Sequence, residues 1–262
     1  MASGALDEKV IVIVGGTAGL GLSAARTCVA AGARIVVVGR NAKDVEAARE
    51  ELGEFGVAME GDAIKSATAG KAIEVAVQRF GKLDGMYHVA GGSGRQWGDG
   101  PVHEISDEGW DRTMQLNMTA LFYSNRAAAK QFLAQATGGS VLNMGSVLGY
   151  SPAPKFFATH AYAAAKSAVI GFTRACAAYY APKSIRFNVV APGLMATPMS
   201  QRALGNDEIL KYIASKQPLD GGRIGQASDL DGAVVYLLSD AAKFVTGQVL
   251  AVDGGWGVCE GE

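Results

Sequence analysis

The stretch VIVIVGGTAGLGLSAARTCVAAG, residues 10–32, carries three local signals in succession. Residues 10–14 form an unbroken β-branched run, which marks a strand covered on both faces. Gly15, Gly16, Gly19 and Gly21 crowd the turn that follows. LSAARTCVAAG then has helical patterning and stops at Gly32. A second β-branched run, RIVVV at 34–38, comes at once. Strand, helix and strand joined by such short connections form a βαβ unit, and that unit predicts a parallel sheet.

The same alternation runs outward to the C-terminus. Helical patterns at 42–52, 67–80, 107–135, 161–180 and 227–238 alternate with short apolar runs at 57–60, 85–89, 140–144, 185–190 and 249–252. The expected fold class is α/β: a Rossmann-like, doubly wound parallel sheet of about seven strands with helices on both faces, in a single domain. Two stretches, 91–104 and 194–225, are long for simple connections, and connections of that length in a compact domain are usually functional or disordered.

The 262 residues are 49% hydrophobic and 19% charged, which suits one domain with a well-filled core. Formal net charge is −1 with Lys and Arg scattered, so no electrostatic footprint exists for nucleic acid or an anionic membrane. A small-molecule partner is expected instead. Cys28, Cys176 and Cys259 lie far apart without metal-ligand or redox spacing, so reduced thiols and no metal site are expected. The opening MASGALDEKV lacks the basic and apolar regions of a signal peptide, and no run of about 18 uncharged apolar residues follows. A cytoplasmic location is the expectation.

Two motifs carry chemistry. A glycine-rich strand-to-helix turn lets backbone approach a pyrophosphate while the helix N-terminus offers free N–H groups and a positive dipole. The competing reading, glycines that merely make a tight turn, is weakened by the strand before them and the helix after. Tyr162 and Lys166 stand four residues apart in HAYAAAKSAVIGFTRA, so a helix projects both from one face. An ammonium beside a phenol favours the phenolate and lowers a pKa that is ordinarily about 10, which makes proton exchange with a carbonyl feasible near neutrality. Taken alone, that spacing equally suits a solvated helix face.

Gly-x-x-x-Gly-x-Gly at Gly15, Gly19 and Gly21, joined to Tyr-x-x-x-Lys at Tyr162 and Lys166, resembles the short-chain dehydrogenase/reductase family over nearly the whole chain. Asp62 in GDAI resembles the family's acidic residue that meets the adenine ring. FGKLDGMYHVAGG resembles the segment leading to its Asn-Asn-Ala-Gly motif, APGLMATPM its Pro-Gly stretch beside the nicotinamide, and VTGQVLAVDGGW its C-terminal signature. The resemblance implies an NAD(P)-dependent oxidoreductase that interconverts a carbonyl and a secondary alcohol. It implies one dinucleotide-binding and catalytic domain over 1–262, with 194–225 as a substrate lid. It also implies a homotetramer, with helices 107–135 and 161–180 in one interface and the C-terminal segment in another.

Residue by residue, the resemblance implies cofactor contacts from Gly15, Thr17, Gly19, Leu20 and Gly21, from Asp62 and Ala63, and from Ala90 and Gly91. Pro192 and Gly193 would shape the nicotinamide loop and Thr197 would bond the carboxamide. Tyr162 would be the acid and base; Lys166 would depress its pKa and hold the nicotinamide ribose. Ser146 closes the run SVLNMGS and would bond the substrate oxygen, although a strand-end Ser is otherwise an ordinary turn residue. Asn117, an unfavourable mid-helix choice in TMQLNMTALF, would distort the helix and hold a water that connects to Lys166.

The chain departs from the family pattern at Val14, where Thr usually precedes the first glycine, and at His88 and Val89, where paired Asn precede Ala-Gly. Cofactor binding should persist on backbone donors. His88 reads as a partly buried strand-end histidine satisfied by backbone. An acidic residue ending the second strand would bond the ribose 2′-hydroxyl and repel a 2′-phosphate. Gly39 and Arg40 stand there instead, and a guanidinium suits a phosphate, so NADP(H) is favoured over NAD(H). The alternatives for Arg40 are stacking on adenine or facing water.

VLGYSPAPKFFATHA, GSGRQWGDGPVH and LMATPMSQRALGNDEILKYIASKQP should wall the substrate pocket. Arg95, Trp97, Lys155, Phe157, His160 and Arg202 are candidate contacts, and this mixture fits a polar, anionic or sugar-like carbonyl compound better than a long acyl chain. A rival reading keeps the fold without the reaction, as a dinucleotide-binding sensor or scaffold, with Val14, His88 and Val89 as early signs. The complete set of Asn117, Ser146, Tyr162 and Lys166 argues against it. An enoyl reductase is disfavoured because that branch has a wider Tyr-to-Lys spacing.

Overall fold

The computed structural model describes residues 4–261. Seven parallel strands form one sheet in the order β3-β2-β1-β4-β5-β6-β7. They are β1 Val10–Val14, β2 Arg34–Gly39, β3 Gly56–Glu60, β4 Gly85–His88, β5 Gly139–Met144, β6 Ile185–Pro192 and β7 Val249–Val252. The winding reverses between β1 and β4, so the loops after these two strands diverge and open a crevice at their carboxyl ends.

Both faces of the sheet are covered because the strands are apolar at successive positions. Ile11 and Ile13 of β1 join one core with Ala24, Cys28, Val45, Val234 and Leu238, while Val10, Val12 and Val14 join a second with Ile73, Ala128 and Phe132. Burying each such large aliphatic or aromatic side chain contributes roughly 1.5–3 kcal/mol. α1 Gly19–Ala30 and α2 Ala42–Leu52 cover the first face; α3 Thr68–Phe80 covers the second.

The run 107–135 is not one regular helix. α4 Asp107–Met114 and α5 Ala120–Gln135 are joined by a π-helical turn, Gln115–Thr119. After β5 come the short α6 Pro154–Phe157 and the long α7 His160–Tyr180. Residues 194–225 are ordered: α8 Gln201–Leu204, α9 Asp207–Lys216 and a kinked α10 Leu219–Gly222 stand on a bridge between Met195 and Gly225. Ile209 and Ile213 of α9 pack with the buried Trp256 from the C-terminal segment. The helical run 227–238 begins as a tight turn and continues as α11 Asp231–Leu238. No helix among the described residues is long and apolar enough to cross a membrane.

Candidate active site

The glycine turn closes the carboxyl end of β1. Gly15 and Gly16 donate to Val38 O at 2.8 and 3.1 Å, which ties the loop to β2. α1 starts with no side-chain cap on Ala18, so its first N–H groups remain available to an anion. A Cβ on Gly21 would lie 2.0 Å from Gly15 O, so only glycine lets the first helical turn close on the strand end. Leu20 lies half-buried in that turn and Thr17 is buried against Gly39. This floor fits a pyrophosphate by its free helix N-terminus and by its lack of side chains.

The crevice walls come from the next strand ends. Arg40 is exposed after β2 and forms no ion pair among the described residues, while Asn41 caps α2 by accepting Lys43 N at 2.9 Å. Asp62 shapes the turn after β3: one carboxylate oxygen accepts Ile64 N at 3.2 Å and its carbonyl accepts Thr68 Oγ1 at 2.7 Å. Ala63 beside it is buried. Val14 O accepts both Val89 N, at 2.8 Å, and Ala90 N, at 2.9 Å, so the substituted strand ends keep the loop before Gly91 in place through backbone alone. Pro192 ends β6, and Gly193 N donates to Val252 O at 3.2 Å. At the turn Pro198–Ser200, Ser200 Oγ accepts Thr197 N and donates to Thr197 O, each at 2.9 Å, which holds the Thr197 backbone in place.

His88 corrects an expectation. Its ring is buried, and Nδ1 bonds Ser124 Oγ at 2.8 Å, while Nε2 has no hydrogen-bond partner among the described residues. Burial, reinforced by the Lys166 charge, pushes its pKa down to about 3 and keeps the imidazole neutral.

Asn117, Ser146, Tyr162 and Lys166 gather at the carboxyl edge of β4 and β5. Lys166 is buried and donates Nζ to Met144 O at 2.9 Å, two residues before Ser146. Its Nζ lies 5.5 Å from the Tyr162 ring centroid. Burial pushes the ammonium down to about 8. Ser146 leaves β5 in an extended conformation and accepts Leu148 N at 3.2 Å. The Tyr162 phenol is pushed above its ordinary value by burial, with the Ser146 hydroxyl acting in the opposite direction. The expected depression by Lys166 does not show in the protein alone: burial dominates, and the opposing influence is the Ser146 hydroxyl. Asn117 sits in the π-turn, fully buried. Its Nδ2 donates to Gly92 O at 2.9 Å and Thr113 O at 3.0 Å, and its Oδ1 accepts Gly92 N at 3.1 Å. The side chain thus clasps the loop beside Gly91.

The chain is similar to known proteins over nearly its whole length. The profile of the family described as enoyl-(acyl carrier protein) reductase matches residues 15–257. The chain is 37% identical to 2-(S)-hydroxypropyl-CoM dehydrogenase 3 of Xanthobacter autotrophicus, over 97% of this chain and 98% of that one. It is 34% identical to 2-dehydro-3-deoxy-D-gluconate 5-dehydrogenase of Escherichia coli, over 96% of each. A solved short-chain type dehydrogenase/reductase from Mycobacterium ulcerans superposes with a TM-score of 0.89 at 30% identity, covering 98% of this chain and 92% of that one. The chain belongs to the short-chain dehydrogenase/reductase family. As such it is an NAD(P)-dependent oxidoreductase acting on CH–OH groups, interconverting a carbonyl and an alcohol.

Two residues that organise the site of this dehydrogenase/reductase are missed in the sequence. Asp99 is buried and accepts Ala161 N and Tyr162 N, each at 3.0 Å, so a loop residue caps the helix that carries the tyrosine. A Cβ on Gly149 would lie 2.9 Å from the Lys166 carbonyl carbon, so glycine there lets the Ser146 turn press against α7. Neither stands in a recognisable local motif. Asp99 follows a glycine and precedes Gly-Pro, a pattern that signals only a turn.

Proposed function

We propose that the enzyme reduces a polar carbonyl compound, or oxidises its secondary alcohol, with Tyr162 passing the proton and NADP(H) as the preferred cofactor. The observation that carries this reading is the anchoring of Lys166 on Met144 O, which fixes Tyr162 and Ser146 at one strand end. During reduction negative charge grows on the substrate oxygen, where the Ser146 and Tyr162 hydroxyls act as donors. The raised pKa keeps the phenol protonated at neutral pH, so the proton is in place to be given. In oxidation the same oxygen receives it. When bound, the nicotinamide supplies or accepts the hydride. Lys166 would hold its ribose, and Asn117 would hold a water connecting to that lysine.

Arg40 supports the choice of NADP(H), as an exposed guanidinium at the end of β2. A homotetramer is supported by exposed Trp110, Phe122 and Leu133 on α4 and α5, by Tyr179 on α7, and by Phe244 and Leu250 near the C-terminus. The free thiols of Cys28, Cys176 and Cys259 support a cytoplasmic location. A panel of sugars, keto acids and steroids, followed by nucleotide absorbance with each cofactor, tests the reading. Turnover confined to apolar ketones would refute it.

A further inference from the structure

Three segments far apart in the chain meet at one backbone carbonyl. Arg95, from the loop 91–104, donates Nη2 to Phe156 O at 3.2 Å, and Arg202, from α8, donates Nη2 to the same oxygen at 3.0 Å. Two full charges therefore share one neutral acceptor. Neither guanidinium forms an ion pair among the described residues, and each carries five donors. The Lys155 ammonium lies 4.9 Å over the Phe156 ring.

Like charges held this close repel, and the arrangement lowers the Arg95 pKa through burial and then through Arg202. The Asp99 charge opposes this shift in part, but Asp99 pairs with neither guanidinium; its two oxygens accept Ala161 N and Tyr162 N. That same commitment locates the pair: four residues after Arg95, the loop grips the start of the helix bearing Tyr162. The floor beneath is firm, since Phe156 packs on Tyr212 at 5.3 Å and Phe157 on Trp256 at 5.6 Å between ring centroids.

We propose that Arg95 and Arg202 form a two-guanidinium seat for an acidic group at the far end of the substrate. The substrate class is then a hydroxy or keto compound bearing a carboxylate, sulfonate or phosphate, a group that guanidinium forks bind in bidentate fashion. The proposal rests on the assignment of Tyr162 as the reacting end.

Binding and turnover test the two parts separately. In calorimetric titration of nucleotide-loaded enzyme, glutarate and propanesulfonate should bind, weaken with added salt, and lose roughly tenfold or more in affinity in Arg95→Gln and in Arg202→Gln. Arg202→Lys should recover part of that loss. Methyl ketones with a terminal carboxylate or sulfonate on two to five methylenes should be preferred over their methyl esters at one chain length, the difference lying mainly in KM. Failure of both anions to bind the wild type, or binding unaltered in both variants, overturns the seat. Anion binding without turnover of any acid or ester leaves the seat standing and counts against the reading of Tyr162.

Discussion

The buried carboxylate of Asp99 accepts the backbone N–H of Tyr162 at 3.0 Å. With its second oxygen on Ala161 N, it satisfies two of the donors that a helix start leaves without a partner. The loop 91–104 thereby sets the position of the side chain proposed to pass the proton. Asp99→Ala should lower stability by roughly 1–2 kcal/mol, the usual worth of a strong cap. It should also lower kcat about tenfold through misplacement of the phenol. Asp99→Asn keeps one acceptor and should recover part of both, read by denaturant melts and steady-state kinetics.

Lys166 links charge, stability and rate. Its folded-state pKa of about 8 lies below the ordinary 10.5, so between those values the unfolded chain holds more protons and stability rises with pH. Lys166→Met should be more stable than wild type near neutrality, because it removes a desolvated ammonium. It should lose roughly a hundredfold or more in kcat. In the wild type, alcohol oxidation should rise with pH into the alkaline range, since it needs a phenolate whose pKa is held above the ordinary value.

Arg40 stands exposed at the end of β2 and is the proposed contact for a 2′-phosphate. Arg40→Asp should cost NADP(H) roughly ten- to a hundredfold in kcat/KM and improve NAD(H), by removing a charge-assisted bond and adding repulsion. Equal losses with both cofactors would show that Arg40 plays another part.

His88 is held neutral with a folded-state pKa of about 3 against an ordinary 6.5. The sign follows from linkage: the unfolded chain takes up the proton first, so this contribution is complete above pH 6.5 and is lost as pH falls toward 3. At about 1.4 kcal/mol per pH unit it amounts to up to about 5 kcal/mol. His88→Asn, which can still bond Ser124 but does not titrate, should flatten the loss of stability in that window, followed by circular dichroism against pH.

Local periodicity made the fold legible. The β-branched runs of β1 and β2 and the glycine turn between them require only neighbours in the chain, and the parallel pairing follows from the βαβ rule. Helix 107–135 was legible as a helix from its pattern, and its distortion at Asn117 only through the family resemblance, because the π-turn there is bonded to Gly92 in a distant loop. The helix α9 within 194–225 carried a signal in Asn206, whose side chain caps it, and in Ile209 and Ile213 one turn apart. Asp99 and the joint grip of Arg95 and Arg202 on Phe156 were not legible, since each depends on segments far apart in sequence. The raised pKa of Tyr162 was hidden for the same reason: spacing places an ammonium nearby, whereas burial is set by the whole pocket.

The central claim is that Tyr162 moves the proton, and Tyr162→Phe tests it most directly because the ring remains and only the hydroxyl is lost. Single-turnover reduction by nucleotide-loaded protein should slow by roughly a thousandfold or more, while the circular dichroism spectrum matches the wild type and nucleotide still binds. Turnover at the wild-type rate in Tyr162→Phe would contradict the account.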